Sequence, residues 1–355
     1  MKASSDRGIS FSDFYFSYAA GTIIVAVVSF FAFGDGRTFY CPNESSWSSK
    51  DSHGAIAAAV GSGTIFNVAN ILLTLGIKYA GLSLAFPVGI GTALIGGTLA
   101  TYVLDPNGNS PYLLFSGVLL GAIAVCAAAA AAHFKEKSSS LSIASPETNI
   151  ISSSLLPPLE EDSREKISTP ASPATRLGLT HRFLLCAAAG VCMSCWSPLN
   201  ALALADTDKD CSSNVGKLTA YSAFLFYCIA VAITSVPLCV FVLPQFEATN
   251  KNDTAVLVAE AVGGHKDAPL LMRFAFGCVG GVIWSIGTLS NSLAGMHLGL
   301  ALSYAVGQAA PMVATTWGLF YYGEYAGCSD RRSYICLFAM YVLFIGAIGL
   351  IAASK

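Results

Sequence analysis

The sequence predicts an all-α polytopic membrane protein, and three observations lead there. Hydrophobic residues fill 54% of the 355 positions and charged residues only 11%, too little polar surface to cover a soluble core. The apolar residues fall into runs of about 20, the length that carries a helix across a bilayer. Finally, two runs repeat: Gly81-Leu-Ser-Leu-Ala-Phe-Pro-Val-Gly89 and Gly299-Leu-Ala-Leu-Ser-Tyr-Ala-Val-Gly307 share five of nine residues at an offset of 218. A second pair, Gly121-Ala-Ile-Ala-Val125 and Gly346-Ala-Ile-Gly-Leu350, follows in the same order at an offset of 225. Internal duplication of this kind marks secondary-transporter architectures, whose site lies between the repeats.

Nine spans are expected, at 12–33, 54–79, 81–104, 111–133, 181–204, 216–243, 270–294, 297–320 and 332–353. The first follows a polar stretch, Met1–Ser10, without a cleavage site, so it serves as a signal anchor. Pro87, Pro198, Pro237 and Pro311 lie inside spans, which bilayer helices tolerate because neighbouring groups re-satisfy the freed carbonyls. Gly117-x-x-x-Gly121 and Gly277-x-x-x-Gly281 predict close helix contacts.

Lys and Arg number 14 on the side holding Met1 and the 134–180 segment and 5 on the other, which places the first side in the cytosol. Aligning the repeats pairs 54–79 with 270–294, 81–104 with 297–320, 111–133 with 332–353 and 12–33 with 216–243; the helix at 181–204 has no partner. The expectation is therefore a pair of inverted five-helix repeats with the first helix of the first repeat missing. Residues 1–133 form the first half (four helices) and 181–355 the second (five helices). Between them, 134–180 carries 11 Ser and five Pro with almost no aromatics, and reads as a disordered cytosolic linker. It contains no Gly-x-x-x-x-Gly-Lys-Ser/Thr phosphate loop, so ATP is not the expected energy source.

Eight of the 11 cysteines fall in spans, where a thiol acts as a small hydrophobe, and Cys192-Met-Ser-Cys195 is read as packing since no second ligand pair accompanies it. Cys41 and Cys211 both fall in non-cytosolic loops, and a disulfide is expected between them. Asn43-Glu-Ser45 is a glycosylation sequon on the same outer loop, whereas Asn252-Asp-Thr254 faces the cytosol. Neither a metal site nor a cofactor is expected, and no feature points to nucleic acid.

Polar groups inside apolar spans need partners, so they are the natural candidates for a site. Asn67, Asn70 and Thr74 follow i, i+3, i+7; Trp284, Thr288 and Asn291 follow i, i+4, i+7; Tyr304, Gln308, Pro311 and Thr315 follow i, i+4, i+7, i+11; Trp196 and Asn200 follow i, i+4. Each set is one stripe of a helix. Amides, hydroxyls and aromatics together suit a neutral, planar, hydrogen-bonding solute. The competing reading is hydrogen bonding between helices, worth about 0.6 kcal/mol on average in membranes. Asn67, Asn70, Trp196, Asn200, Trp284, Asn291, Tyr304 and Gln308 are expected to face one midplane cavity. Asp13, Lys78, His133, Arg273, His297 and Glu324 sit near span ends, where snorkelling accounts for them. Asp13 and Glu324 are the candidates for proton coupling.

Leu82-Ser-Leu-Ala through Thr101-Tyr-Val-Leu-Asp105, Trp196-Ser-Pro-Leu-Asn-Ala-Leu-Ala203, and above all Thr315-Thr-Trp-Gly-Leu-Phe-Tyr-Tyr-Gly-Glu-Tyr325 with Arg331-Arg-Ser-Tyr334 resemble the ureide permeases, within the drug/metabolite transporter superfamily. The resemblance runs from about Asp13 to the C-terminus. It implies ten helices in five-plus-five inverted repeats and carriage of allantoin, uracil and related oxo-purines, with proton symport suspected. The chain departs from the family in its absent first helix and in a central loop without the phosphate-loop-like motif of plant members. The implied partners are a small-molecule substrate, protons and the lipid bilayer, and the plasma membrane is the expected location. A sugar permease of the same superfamily and a non-transporting scaffold are the alternatives. An intramembrane enzyme would need paired membrane Asp residues, a His-Glu-x-x-His helix or an acid–His pair at depth, and the spans carry none.

Overall fold

The computed structural model describes residues 11–41, 50–104, 110–143, 178–206, 210–242 and 270–354, apart from 299–302, 304–306, 308–309 and 327. Its elements are α1 (Phe11–Ala32), α2 (Lys50–Ala80), α3 (Leu82–Leu104), α4 (Pro111–Ile143), α5 (Leu179–Ala203), α6 (Ala220–Pro237), α7 (Leu270–Leu298), α8 (Ala310–Thr316) and α9 (Arg331–Ala353). Among the described residues, eight helices are long and apolar enough to cross a membrane. They correspond to all the expected spans but 297–320, which is described continuously only from Ala310, as α8 and the wide π-type turn Trp317–Tyr321.

Local chemistry sets the ends of the elements. A single residue, Gly81, separates α2 from α3, and its φ of +78° is open to glycine at no steric cost. Thr219 caps α6 by accepting the Ser222 N–H, and Asp330 caps α9 by accepting the Arg332 N–H at 2.9 Å. Helix α4 runs ten residues beyond its expected end at 133 and into the segment read as linker. The helix formers Lys135, Glu136 and Lys137 extend it, and tertiary contacts hold it. Glu136 pairs with Arg182 of α5, the Lys135 ammonium lies 4.6 Å from the centre of the Tyr325 ring, and the Ser138 hydroxyl is 3.0 Å from that of Ser329.

The bundle is built from close pairs: α2 on α5, α4 on α9, α1 on α7 and α3 on α5, with α2 and α1 also against α6. Small residues make these contacts possible. A Cβ on Gly277 or Gly281 of α7 would overlap the carbonyl oxygens of Phe14 or Tyr18 on α1, and one on Gly63 of α2 would overlap the Tyr227 carbonyl of α6. The pattern at 277–281 thus does what its spacing predicts. Among the described residues, the buried polar side chains are serines, threonines and asparagines. Large apolar side chains point outward instead, such as Phe320 at 79% and Phe338 at 72% exposure, as suits a bundle whose solvent is lipid.

At one end of the bundle the loops are knitted together. The Tyr40 N–H donates to the Lys217 carbonyl (3.1 Å), the Ala205 N–H to Leu218 (3.1 Å) and the Thr219 N–H to Thr38 (3.3 Å). A disulfide joins Cys41 to Cys211 across 170 residues, with the Cα atoms 5.6 Å apart. This end is called the disulfide end below.

Candidate functional site

Near the disulfide end, the last turns of α5 and α7 line a small cleft. Helix α5 presents Trp196 and Asn200 at i, i+4, with Leu204 just past its end, while α7 presents Asn291 and Gly295 at i, i+4. Ser197, Ser292 and Ser303 complete the polar lining. The Ser303 hydroxyl lies 2.8 Å from the Asn291 Oδ1 and 2.6 Å from its carbonyl oxygen, which fixes the Asn291 side chain. With Oδ1 so engaged, the Asn291 amino group is the part left to donate. Asn200 has no hydrogen-bond partner among the described residues, so its amide offers a donor and an acceptor to whatever enters. The enclosed part of the cleft has room for about one water, so a ring-sized solute enters only as the cleft widens.

One ring of the cleft belongs also to an aromatic cluster deeper in the bundle. Trp196 meets Phe66 (centroids 6.1 Å) and Tyr227 (6.1 Å), Phe66 meets Trp284 (4.7 Å) and Tyr227 (5.6 Å), and Tyr18 meets Trp284 (5.9 Å). The planes of Tyr227 and Trp284 are 17° apart. Five helices, α1, α2, α5, α6 and α7, contribute a ring each.

Two other amides of the expected set, Asn67 and Asn70, are engaged between helices. Asn67 is fully buried; its Oδ1 accepts from the Tyr15 hydroxyl at 2.6 Å, and its Nδ2 donates to Thr234 Oγ1 at 2.7 Å and to the Val231 carbonyl at 3.2 Å. Asn70 Nδ2 donates to the same Tyr15 hydroxyl at 3.2 Å. These two residues tie α2 to α1 and α6, and neither lines the cleft. Thr315 is fully buried on α8, and its hydroxyl has no partner among the described residues. Tyr304, Gln308, Asn43 and the Asp13 side chain lie outside the described residues.

Glu324 stands at the opposite end. Its Oε1 accepts the Leu82 N–H at 2.8 Å, and its Oε2 accepts the Ser83 N–H at 3.0 Å and the Ser83 hydroxyl. Its own N–H donates to the Gly318 carbonyl at 2.9 Å. A carboxylate from beyond α8 therefore caps α3, favoured by the positive end of that helix's dipole. Cβ atoms at Gly81 and Gly318 would come within 2.8 and 3.2 Å of this carboxyl group, so both glycines make room for it.

The ureide permease family model matches residues 14–169 and 171–354, nearly the whole chain. The chain belongs to the ureide permease family. Ureide permease 4 and ureide permease 2 of Arabidopsis thaliana are each 25% identical to it over 96% of this chain and 89% of their own length. The probable ureide permease A3 of Vigna unguiculata is 23% identical over 91% of this chain and 89% of its length. No solved structure matches. A permease family and eight membrane-length helices together make this ureide permease homologue a multi-pass integral membrane protein.

Of the residues in the expected stripes of this family member, Trp196, Asn200 and Asn291 line the cleft, and other side chains stand around them. Gly295 continues the Asn291 stripe, so periodicity could have found it, whereas Leu204 lies just past the end of α5. Phe66 had a signal too, since it stands 218 positions before Trp284, the offset of the repeated motif. Tyr18 and Tyr227 carried none, because a lone tyrosine in an apolar run reads as core.

Proposed function

We propose that this chain is a secondary transporter of small, neutral, planar heterocyclic amides. Allantoin stands first among its substrates, followed by uracil and related oxo-purines. The observation that carries the reading is the cleft, in which a tryptophan ring stands beside two amides in a member of a ureide permease family. Such a solute stacks on the ring and presents alternating carbonyls and N–H groups to Asn200 and Asn291.

An inverted repeat is part of this reading, and paired contacts support it. Gly63 of α2 packs on the Tyr227 carbonyl of α6, and Gly281 of α7 packs on the Tyr18 carbonyl of α1. Phe66 touches Tyr227, and Trp284 touches Tyr18. Gly63 and Phe66 precede Gly281 and Trp284 by the same 218 positions. The two sets of contacts are related as two copies of one unit would be, with Phe66 and Trp284 meeting where the copies join. Nine helices then comprise four from one repeat and five from the other, and the substrate binds between them.

The charge asymmetry puts the disulfide end outside the cytosol, with the cleft opening outward and Glu324 closing the cytosolic end. Asn43 is the glycosylation site in this topology, and the plasma membrane is the location that suits it. Rocking between the halves must break the Glu324 cap whenever the cytosolic end opens. A proton on that carboxylate weakens the cap, which gives Glu324 a role in proton symport; Asp13 is the other candidate. No step uses ATP.

Uptake by cells expressing the chain tests the proposal. Labelled allantoin or uracil accumulates above the vector control, and the rate saturates. Accumulation of glucose alone points to a sugar permease, and accumulation of none of the three to a scaffold.

A further inference from the structure

Among the described residues, four buried hydroxyls have no hydrogen-bond partner: those of Thr98, Tyr227, Ser285 and Thr315. Buried polar atoms are almost always paired, because an unpaired one loses its water and gains nothing in return. A serine or threonine in a helix has its own backbone carbonyl a bond rotation away. A tyrosine hydroxyl, held at the tip of a rigid ring, has no such recourse. Tyr227 is 1% exposed, and its ring is fixed by Phe66, Phe224, Trp196 and Trp284 at 5.6–6.1 Å. The ring therefore cannot swing to find a partner, and a partner has to come to it.

The cleft is the route by which one can arrive. Trp196 lines the cleft on one side and meets the Tyr227 ring edge-on, at 62°, on the other. Trp196 is thus shared between the cleft and the rings behind it. Those rings are the stacking surfaces that a planar solute would use, and Tyr227 and Trp284 are already near parallel.

We propose that Tyr227 is the innermost polar contact of the substrate site: its hydroxyl bonds a carbonyl or ring nitrogen of the planar heterocycle once Trp196 moves aside. The inference rests on the transporter reading and deepens it, for it divides the site into two parts. Asn200 and Asn291 at the mouth read the outer edge of the solute, while Tyr227 reads the inner edge. A hydroxyl that bonds only solute contributes nothing to the empty fold, and that sets it apart from every hydroxyl used as packing.

Purified wild-type protein and Tyr227→Phe in detergent test this, with allantoin and uracil as probes and two readouts, the melting temperature and the quenching of tryptophan fluorescence. Without probe, Tyr227→Phe is expected to melt at the wild-type temperature or above it. With probe, it is expected to need about 5- to 150-fold more to reach half-saturation, the range for leaving one group of a bound solute unsatisfied. A lower melting temperature without probe overturns the proposal, since the hydroxyl then serves the fold, through a bound water for example. Unchanged half-saturation in a wild type that binds either probe also overturns it, and leaves the transporter reading standing. If the wild type binds neither probe, the reading of the site fails and takes the proposal with it.

Discussion

Asn67 and Asn200 are both asparagines in membrane helices, at 0% and 8% exposure, and their surroundings give them different work. Asn67 spends its amide on Tyr15, Val231 and Thr234, whereas Asn200 has no such partner among the described residues and faces the cleft. Replacing Asn67 by alanine removes the bonds its amide makes to Tyr15, Val231 and Thr234, so Asn67→Ala is expected to cost about 1–3 kcal/mol of stability. A lower melting temperature with unaltered half-saturation in the molecules that fold is the outcome to look for in a detergent melt. Helical spacing placed both residues among the candidates but could not tell the two uses apart. The deciding partners, Tyr15 and Thr234, lie 52 and 167 positions from Asn67. The sequence shows which faces are polar, while the pairing of those faces depends on how the helices cross.

Helices were the most legible level. The expected boundaries of α1 and α9 fall within a residue of the observed ones, because a bilayer-length apolar run flanked by polar residues leaves little choice. The exception is instructive. Helix α4 continues through Lys135–Ile143, since composition marks where apolar burial ends but does not show that Arg182, Ser329 and Tyr325 wait to hold a polar helix in place. Glycines on α7 give a clean test of helix-on-helix packing. A Cβ on Gly281 overlaps the Tyr18 carbonyl, whereas the nearest atom of a neighbouring helix to one on Gly280 is in the Phe14 ring, at 3.7 Å. Gly281→Ala is therefore expected to lower stability by about 1–3 kcal/mol by forcing α1 and α7 apart. Gly280→Ala should melt like the parent or slightly above it, since alanine favours the helix. Equal melting temperatures for the two variants would mean that α1 does not sit against this face of α7.

Across the whole molecule, the two ends of the bundle differ in a way that suits a permease. The disulfide end ties the 38–41 and 204–219 segments together and carries the cleft, while the far end is held by three hydrogen bonds from α3 to Glu324. Little of this could be read from the sequence. Glu324 looked like a snorkelling or proton-binding residue, since nothing local to it shows that its partners are Leu82 and Ser83, over 240 positions away. The central claim is that the cleft holds the substrate during transport, and initial rates of labelled allantoin uptake by wild type and Asn200→Ala at matched surface expression test it most directly. Saturable uptake is expected in both, with KM raised about 5- to 150-fold in the variant and the maximal rate retained if binding alone is lost. A wild type without saturable uptake, or a variant with the wild-type KM, would contradict the claim.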